Sequence, residues 1–341
     1  ARECPPSHPK RVWRALIRQL DYPGEETGRG LGPLIARAAA SDAASRLLAL
    51  DQRSDDIDAA LAAGRHLYLS PAVAFWRDLG RTEPGRLRGV PAAQHAAYVR
   101  RSRALLLDWL EGHPTVSNSD IDRALRRIRG GHPRIYSLKD YRPWARIYAY
   151  LASGVAALAR AVGYRGLVLT LDEAEFYNLL GREDRGYATT LFRALAFAAE
   201  GSAGGLSFTA EALEGGGMGV LQRLPARYSD APGLYVVLAM TPAADGLEAL
   251  ENTLSDSRIH TLSPLSSEDY VRLVRRVCDF YARAHPDWEL PLAVVPPLGR
   301  VIGGLLRGGY IGNPRHAMKF LVEFLDVVRY EPKRVGEMIR A

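Results

Sequence analysis

Two adjacent carboxylates, Asp172 and Glu173, follow a short apolar run at 166–171. A glycine begins the run and acids follow it, a pattern that indicates a buried strand of a parallel sheet. Ligands of open α/β folds bind at the carboxyl ends of such strands. There an aspartate can hold Mg²⁺, and a following glutamate can polarise the water that attacks a phosphate. A buried strand that simply ends in a polar turn has the same pattern, so the pair alone leaves both interpretations open.

Three further polar residues follow these acids along the chain. Thr241 comes directly after a second apolar run at 234–240, where its hydroxyl can bond to the attacking water or to a terminal phosphate. Arg258 precedes a predicted short strand at 259–262 and can reach a nucleotide on a neighbouring subunit. Arg315 lies in a Gly-x-x-Arg sequence at the start of a C-terminal helix and can face the phosphates. Taken singly, each has a structural alternative: a capped turn, a surface arginine and an exposed charge at a helix start.

The order of these features resembles that of the AAA+ ATPases, especially the branch near the origin-recognition initiators. The resemblance covers about 160–330 and implies an ATP site with Mg²⁺ as cofactor. It implies that Asp172 and Glu173 form the Walker B pair, with Asp172 on the metal and Glu173 on the water. It further implies that Thr241 is sensor 1, that Arg258 is a finger acting on a neighbouring subunit, and that Arg315 is sensor 2 on the nucleotide.

A narrower resemblance is found in the residues around the acids. The segment 163–175, with its Gly-Tyr-Arg-Gly-Leu start, is similar to the Gly-Tyr-x-Gly-Leu segment of the ATP-binding-domain family of BREX bacteriophage-exclusion systems. The opening Ala-Arg-Glu, followed by a proline-rich turn and a helix, is similar to the stretch after that family's phosphate loop and next strand. A helical insertion before the acids also fits. The resemblance implies a bacterial defence setting with other defence-system proteins as partners.

The sequence departs from this family at the phosphate loop. It contains no G-x-x-x-x-G-K-[ST] motif, and none of its four lysines follows a glycine. The glycine-rich stretch 215–219 has no lysine after it, so we expect a surface loop there. We therefore expect the P-loop segment to be missing from this chain because it lies upstream of Ala1. The alternative is a catalytically degenerate scaffold or DNA-binding module that keeps the ATPase fold.

Strands alternating with helices and followed by an all-helical end predict an α/β fold with an AAA+-like parallel sheet. The predicted strands are 166–171, 234–240 and 259–262, with a further possible strand at 206–209. The predicted helices are 11–20, 34–50, 54–63, 71–79, 91–111, 118–129, 141–162, 185–200, 267–284, 294–307 and 314–329. The predicted division is a helical N-terminal part and insertion at 1–160, an α/β nucleotide-binding core at 161–265 and a helical lid at 266–341.

Composition and charge limit the class of protein. The 341 residues are 47% hydrophobic and 24% charged, which is typical of a soluble globular protein, and no apolar run is long enough to span a membrane. Cys4 and Cys278 form neither a disulfide framework nor a zinc site, which favours a cytoplasmic protein. The net charge is +7, and 41 of the 45 basic residues are arginines. Eleven of these lie within 81–134, which predicts either contact with double-stranded DNA or ordinary solvated helix faces.

Overall fold

The computed structural model divides into two compact units, Ala1–Ile259 and His260–Ala341. None of the described helices combines the length and the apolar character that a membrane span needs. The described residues are 9–23, 28–52, 56–113, 115–128, 135, 145–172, 174, 179–201, 205–213, 224–241 and 244–334.

Helices make up most of the first unit, as their apolar spacing predicts. Side-chain caps fix several of their starts: the Ser41 hydroxyl accepts from the Ala44 amide, and the Asp56 carboxylate accepts from the Ala59 amide. The Ser41 cap divides the predicted helix 34–50 into two. The helices before the sheet are α1 (Pro9–Arg18), α2 (Gly32–Ala39), α3 (Asp42–Leu47), α4 (Ile57–Ala62), α5 (Leu69–Arg81), α6 (His95–Leu110), α7 (Asn118–Leu125) and α8 (Ala145–Ala161).

A buried histidine joins α5, α8 and the segment that leads into the second strand. The His66 Nδ1 accepts hydrogen bonds from the first amides of α5, at 3.2 Å from the Tyr68 nitrogen and 3.1 Å from the Leu69 nitrogen. Its ring centroid lies 4.2 Å from that of Tyr150 and 4.8 Å from that of Tyr228. Burial away from water lowers the pKa of His66 to about 3. The imidazole is therefore a neutral helix cap at neutral pH.

The sheet consists of two parallel strands, β1 (Leu167–Leu171) and β2 (Leu234–Leu238). Leu171 lies opposite Leu238, so both strands end at the same level. The helix α9 (Arg182–Glu200) lies between them in the chain, as parallel strands require a crossover connection. The protein is thus mostly helical with a small parallel sheet, which is consistent with the predicted α/β class.

The two faces of this sheet have different environments. Leu167 and Leu169 are buried on one face, and α8 and the crossover helix α9 both pack against the sheet. On the opposite face, Val168 is 62% exposed, Tyr235 65% and Val237 48%. Alternation of side chains along each strand produces this division. One apolar face of the sheet is therefore open in the described part of the first unit.

Two of the predicted strands are wrong. Residues 259–262 form no strand, and Leu262 is 91% exposed, because no described strand lies beside them to complete a ladder. At 206–209 only a single antiparallel bridge forms, between Leu206 and Leu254. The helix α10 (Ala244–Glu251) was not predicted from the sequence.

The second unit is a bundle of helices around its own apolar core. Ser266 and Asp269 form a capping box at the start of its first helix. The core includes Val274, Leu298 and Phe324, each almost fully buried. Its helices are α11 (Ser267–Ala284), α12 (Val295–Arg307) and α13 (Pro314–Tyr330).

Candidate functional site

The carboxyl edge of the sheet carries two of the predicted site residues. Asp172 directly follows β1, and Thr241 is the third residue after β2; both are exposed. Backbone bonds extend the pairing past the strands: the Ala239 nitrogen donates to the Leu171 oxygen, and the Ala174 nitrogen donates to the Ala239 oxygen, each at 2.9 Å. Ala239 therefore lies beside Asp172. The Cα of Thr241 is at most about 7 Å from that of Ala239, since two residues reach no further.

The oxygen atoms at this edge suit a hard cation. A carboxylate and a hydroxyl are the donor types that Mg²⁺ takes, together with water and substrate phosphates. Asp172 is exposed, so a metal bound there keeps access to water. Glu173, the predicted water-polarising residue, lies outside the described residues. The described donors fit the metal side of a phosphate site, whereas the sequence 1–341 provides no glycine-lysine cradle for the phosphates.

Arg258 is held by a carboxylate of its own unit. Its Nη2 donates to Oε2 of Glu200, the last residue of α9, at 2.5 Å. The backbone below it is fixed by a bond from the Ser255 nitrogen to the Gly205 oxygen at 3.0 Å. Gly205 has a φ of +87°, and a Cβ there would lie 2.9 Å from the Arg258 Nε. Glycine at 205 therefore permits this close approach.

Glu200 is a residue that the sequence gave no reason to select. It is separated from Arg258 by 58 positions, and no local motif connects the two. Both side chains are partly exposed, at 30% for Glu200 and 50% for Arg258. Exposed ion pairs of this kind contribute between about 0 and 1 kcal/mol to stability. The pair thus orients the guanidinium without binding it strongly.

The crossover helix separates Arg258 from the acidic edge. Its 19 residues span about 28 Å at 1.5 Å per residue. The start of α9 follows the segment after Asp172, whereas Glu200 and Arg258 lie at its end. A crossover that leads from the end of one parallel strand to the start of the next runs back towards the amino edge of the sheet. Arg258 therefore lies away from the edge that carries Asp172.

Arg315 belongs to the second unit. It is the second residue of α13, where the Asn313 side chain accepts from the His316 amide at 2.9 Å and caps the helix. Arg315 is exposed, and no ion pair to it is found among the described residues. The turn that starts the helix therefore presents this guanidinium to solvent.

These features define a mostly helical α/β protein with a carboxylate and a hydroxyl at the carboxyl edge of a parallel sheet. The chain belongs to the family described as BREX system ATP-binding protein BrxC/D, whose model matches residues 92–338. The predicted resemblance to the BREX ATP-binding family is thereby confirmed. All five predicted site residues, Asp172, Glu173, Thr241, Arg258 and Arg315, lie inside the matched range. No curated protein and no solved structure matches the chain.

Proposed function

We propose that this protein binds and hydrolyses ATP in an AAA+-like site of a BREX phage-defence system. Nucleotide turnover is coupled to its assembly on DNA or on partner proteins of that system. Membership of the BrxC/D ATP-binding family supports ATP as the nucleotide that is bound. The observation that carries the proposal is the register of β1 and β2, which brings Asp172 and Thr241 to one edge.

Each residue at this edge has a distinct role in the proposal. The Asp172 carboxylate holds Mg²⁺, which when bound neutralises charge on the phosphates. Glu173 accepts a proton from the water that attacks the terminal phosphate. The Thr241 hydroxyl orients that water by a hydrogen bond. Because both strands end at the same level, these groups act on one phosphate chain.

The two arginines act from different chains in the proposal. Arg258 lies at the end of α9 remote from the Asp172 segment, which favours action on the site of an adjacent copy in a homo-oligomer. Its guanidinium stabilises negative charge on the transferred phosphoryl group. Arg315 acts on the nucleotide of its own chain, and the segment 266–341 serves as the predicted lid. Both roles use the planar, permanently charged side chain that binds phosphate in a bidentate manner.

The proposed ATP site also requires a phosphate loop. The open face of the sheet offers a surface against which the unit that carries this loop can pack. Parallel sheets are normally covered on both faces. Val168, Tyr235 and Val237 form an exposed apolar face in the described residues. In the proposal, a strand-and-helix unit from outside residues 1–341 supplies the loop and covers this face. The missing motif also favours a second candidate, a scaffold that does not hydrolyse ATP.

The test is a single substitution in the full-length protein. Glu173→Gln should retain ATP and lose turnover by about 100-fold or more, because the water loses its base while Asp172 remains. The control is Glu183→Gln, the same change at an exposed glutamate in the first turn of α9. Turnover should be followed by phosphate release and binding by a fluorescent ATP analogue. Equal turnover in Glu173→Gln and wild type would remove Glu173 from the mechanism, and no ATP binding would support the scaffold.

A further inference from the structure

Three segments of the first unit meet on one side of α6. The Arg88 nitrogen donates to the Arg127 carbonyl oxygen at 2.9 Å, which ties the loop at 86–89 to the end of α7. The Arg127 Nη1 donates in return to the Gly89 oxygen at 3.1 Å. On α6, the Tyr98 hydroxyl donates to the Ala124 oxygen of α7 at 2.7 Å. The loop, α6 and α7 are thus bonded together.

Several arginine side chains lie close together at this junction. The guanidinium carbons of Arg101 and Arg127 lie 5.9 Å and 5.8 Å from the centroid of the Tyr98 ring. Both cations are therefore held at the ring by cation–π contact. We define the arginine surface as the six arginines at and beside this junction: Arg86, Arg88, Arg101, Arg123, Arg126 and Arg127.

Few acids neutralise the arginine surface. The sequence contains no aspartate or glutamate between 84 and 107, and only Glu83, Asp120 and Asp122 lie within four positions of any of the six arginines. Arg123 is 3.9 Å from the carboxylate of Asp120, whose other oxygen accepts from the Ser117 nitrogen and hydroxyl in a capping box. None of the remaining five arginines forms an ion pair with a described carboxylate. The surface thus keeps a net positive charge.

We propose that the arginine surface binds the phosphate backbone of duplex DNA. Guanidinium groups match phosphate oxygens in a bidentate manner, and arginines from three segments extend over more than one phosphate. Binding of single strands uses exposed aromatic rings on which bases stack. Tyr98 is only 6% exposed, and no large apolar side chain is exposed among the described residues of 81–128. This inference rests on these contacts alone and does not depend on the proposed ATP site.

The test is the salt dependence of binding to a duplex oligonucleotide by the full-length protein without nucleotide. If all six arginines contact phosphates, affinity should fall about 1,800-fold between 50 and 200 mM salt. The variant Arg88→Gln/Arg101→Gln/Arg126→Gln leaves three contacts, so the same salt change should lower its affinity only about fortyfold. Arg127 is kept because its side chain joins the segments. Thermal unfolding should show that the variant is folded.

A matched control removes the same charge elsewhere. Arg275, Arg276 and Arg300 are exposed arginines of the second unit without an ion pair to a described carboxylate, and their triple change to glutamine should leave the salt slope unchanged. Three results would overturn the proposal. These are no duplex binding at 50 mM salt, equal flattening of the slope in both triple variants, and stronger binding of single-stranded DNA or RNA than of a duplex of equal length.

Discussion

Acidification should destabilise the first unit through His66. The pKa of this histidine is about 3 in the folded protein, below its ordinary value of 6.5, because the ring is buried. Between these values the unfolded chain binds a proton that the folded protein does not. The free energy of unfolding therefore keeps its full value above pH 6.5 and decreases as the pH falls from 6.5 towards 3.

The magnitude follows from the difference in proton binding. At pH 5 the medium is about 1.5 units below the ordinary histidine pKa, and each unit corresponds to about 1.36 kcal/mol. The expected loss is about 2 kcal/mol of unfolding free energy between pH 7 and pH 5. Protonation is unfavourable for two reasons: the charge would be buried away from water, and a hydrogen-bond acceptor would be lost. A proton on Nδ1 would remove the acceptor that caps the Tyr68 and Leu69 amides of α5.

Urea unfolding at the two pH values provides the assay, followed by tryptophan fluorescence. His66→Gln should be less stable than wild type at pH 7, but its stability should depend less on pH by about 2 kcal/mol. The control is Ser41→Ala, which removes a helix cap that contains no titratable group and should keep the wild-type pH dependence. If His66→Gln and wild type lose equal stability between pH 7 and pH 5, the reasoning from the buried neutral ring is refuted.

Two other predictions concern the proposed ATP site in the full-length protein. Mixing Arg258→Ala with Glu173→Gln chains should restore up to about one quarter of wild-type turnover, because one interface in four then pairs an intact finger with an intact acid. The same mixture made with Arg315→Ala should restore none, and rescue by neither mixture in proven mixed oligomers would contradict the finger role of Arg258. On the open sheet face, Tyr235→Lys should weaken ATP binding about tenfold or more, since covering an unpaired charge is costly. Tyr310→Lys, at a tyrosine that is 79% exposed in the second unit, is its control, and equal affinity in both variants would show that the sheet face is not covered.

The local pattern of apolar residues is sufficient to predict β1 and β2, the two strands that carry the candidate site. The apolar runs before Asp172 and Thr241 identify two parallel strands, of which the described residues bury one face only. Capping residues mark the starts of α11 and α13. The predicted strand at 259–262 is wrong because an extended segment becomes a strand only where a neighbouring strand completes its hydrogen bonds. The sequence therefore predicts that Asp172 follows the end of a strand, but it does not predict which strands pair with one another.

Contacts between distant segments could not be predicted in this way. Glu200 meets Arg258 across 58 positions, and only the folded backbone at Gly205 brings them together. The arginine surface is a similar case. The cluster of arginines within 81–134 was visible in the sequence, but its arrangement around Tyr98 depends on bonds between α6, α7 and the loop at 86–89. Spacing along the chain does not contain this information.

Arg258 is paired with Glu200, so any other anion that binds its guanidinium has to compete with the Glu200 carboxylate. In the proposed finger role, a phosphate bound to an adjacent copy has to displace the Glu200 carboxylate from Arg258. The free energy gained is then the difference between the affinities of the guanidinium for the two anions. Because an exposed pair is worth at most about 1 kcal/mol, the threshold for exchange is low, and salt lowers it further. A carboxylate carries one charge, whereas a terminal phosphate offers more charge and a third oxygen. In the proposed oligomer, the contact with Glu200 would therefore yield to a phosphate but not to an anion that binds the guanidinium more weakly than a carboxylate does.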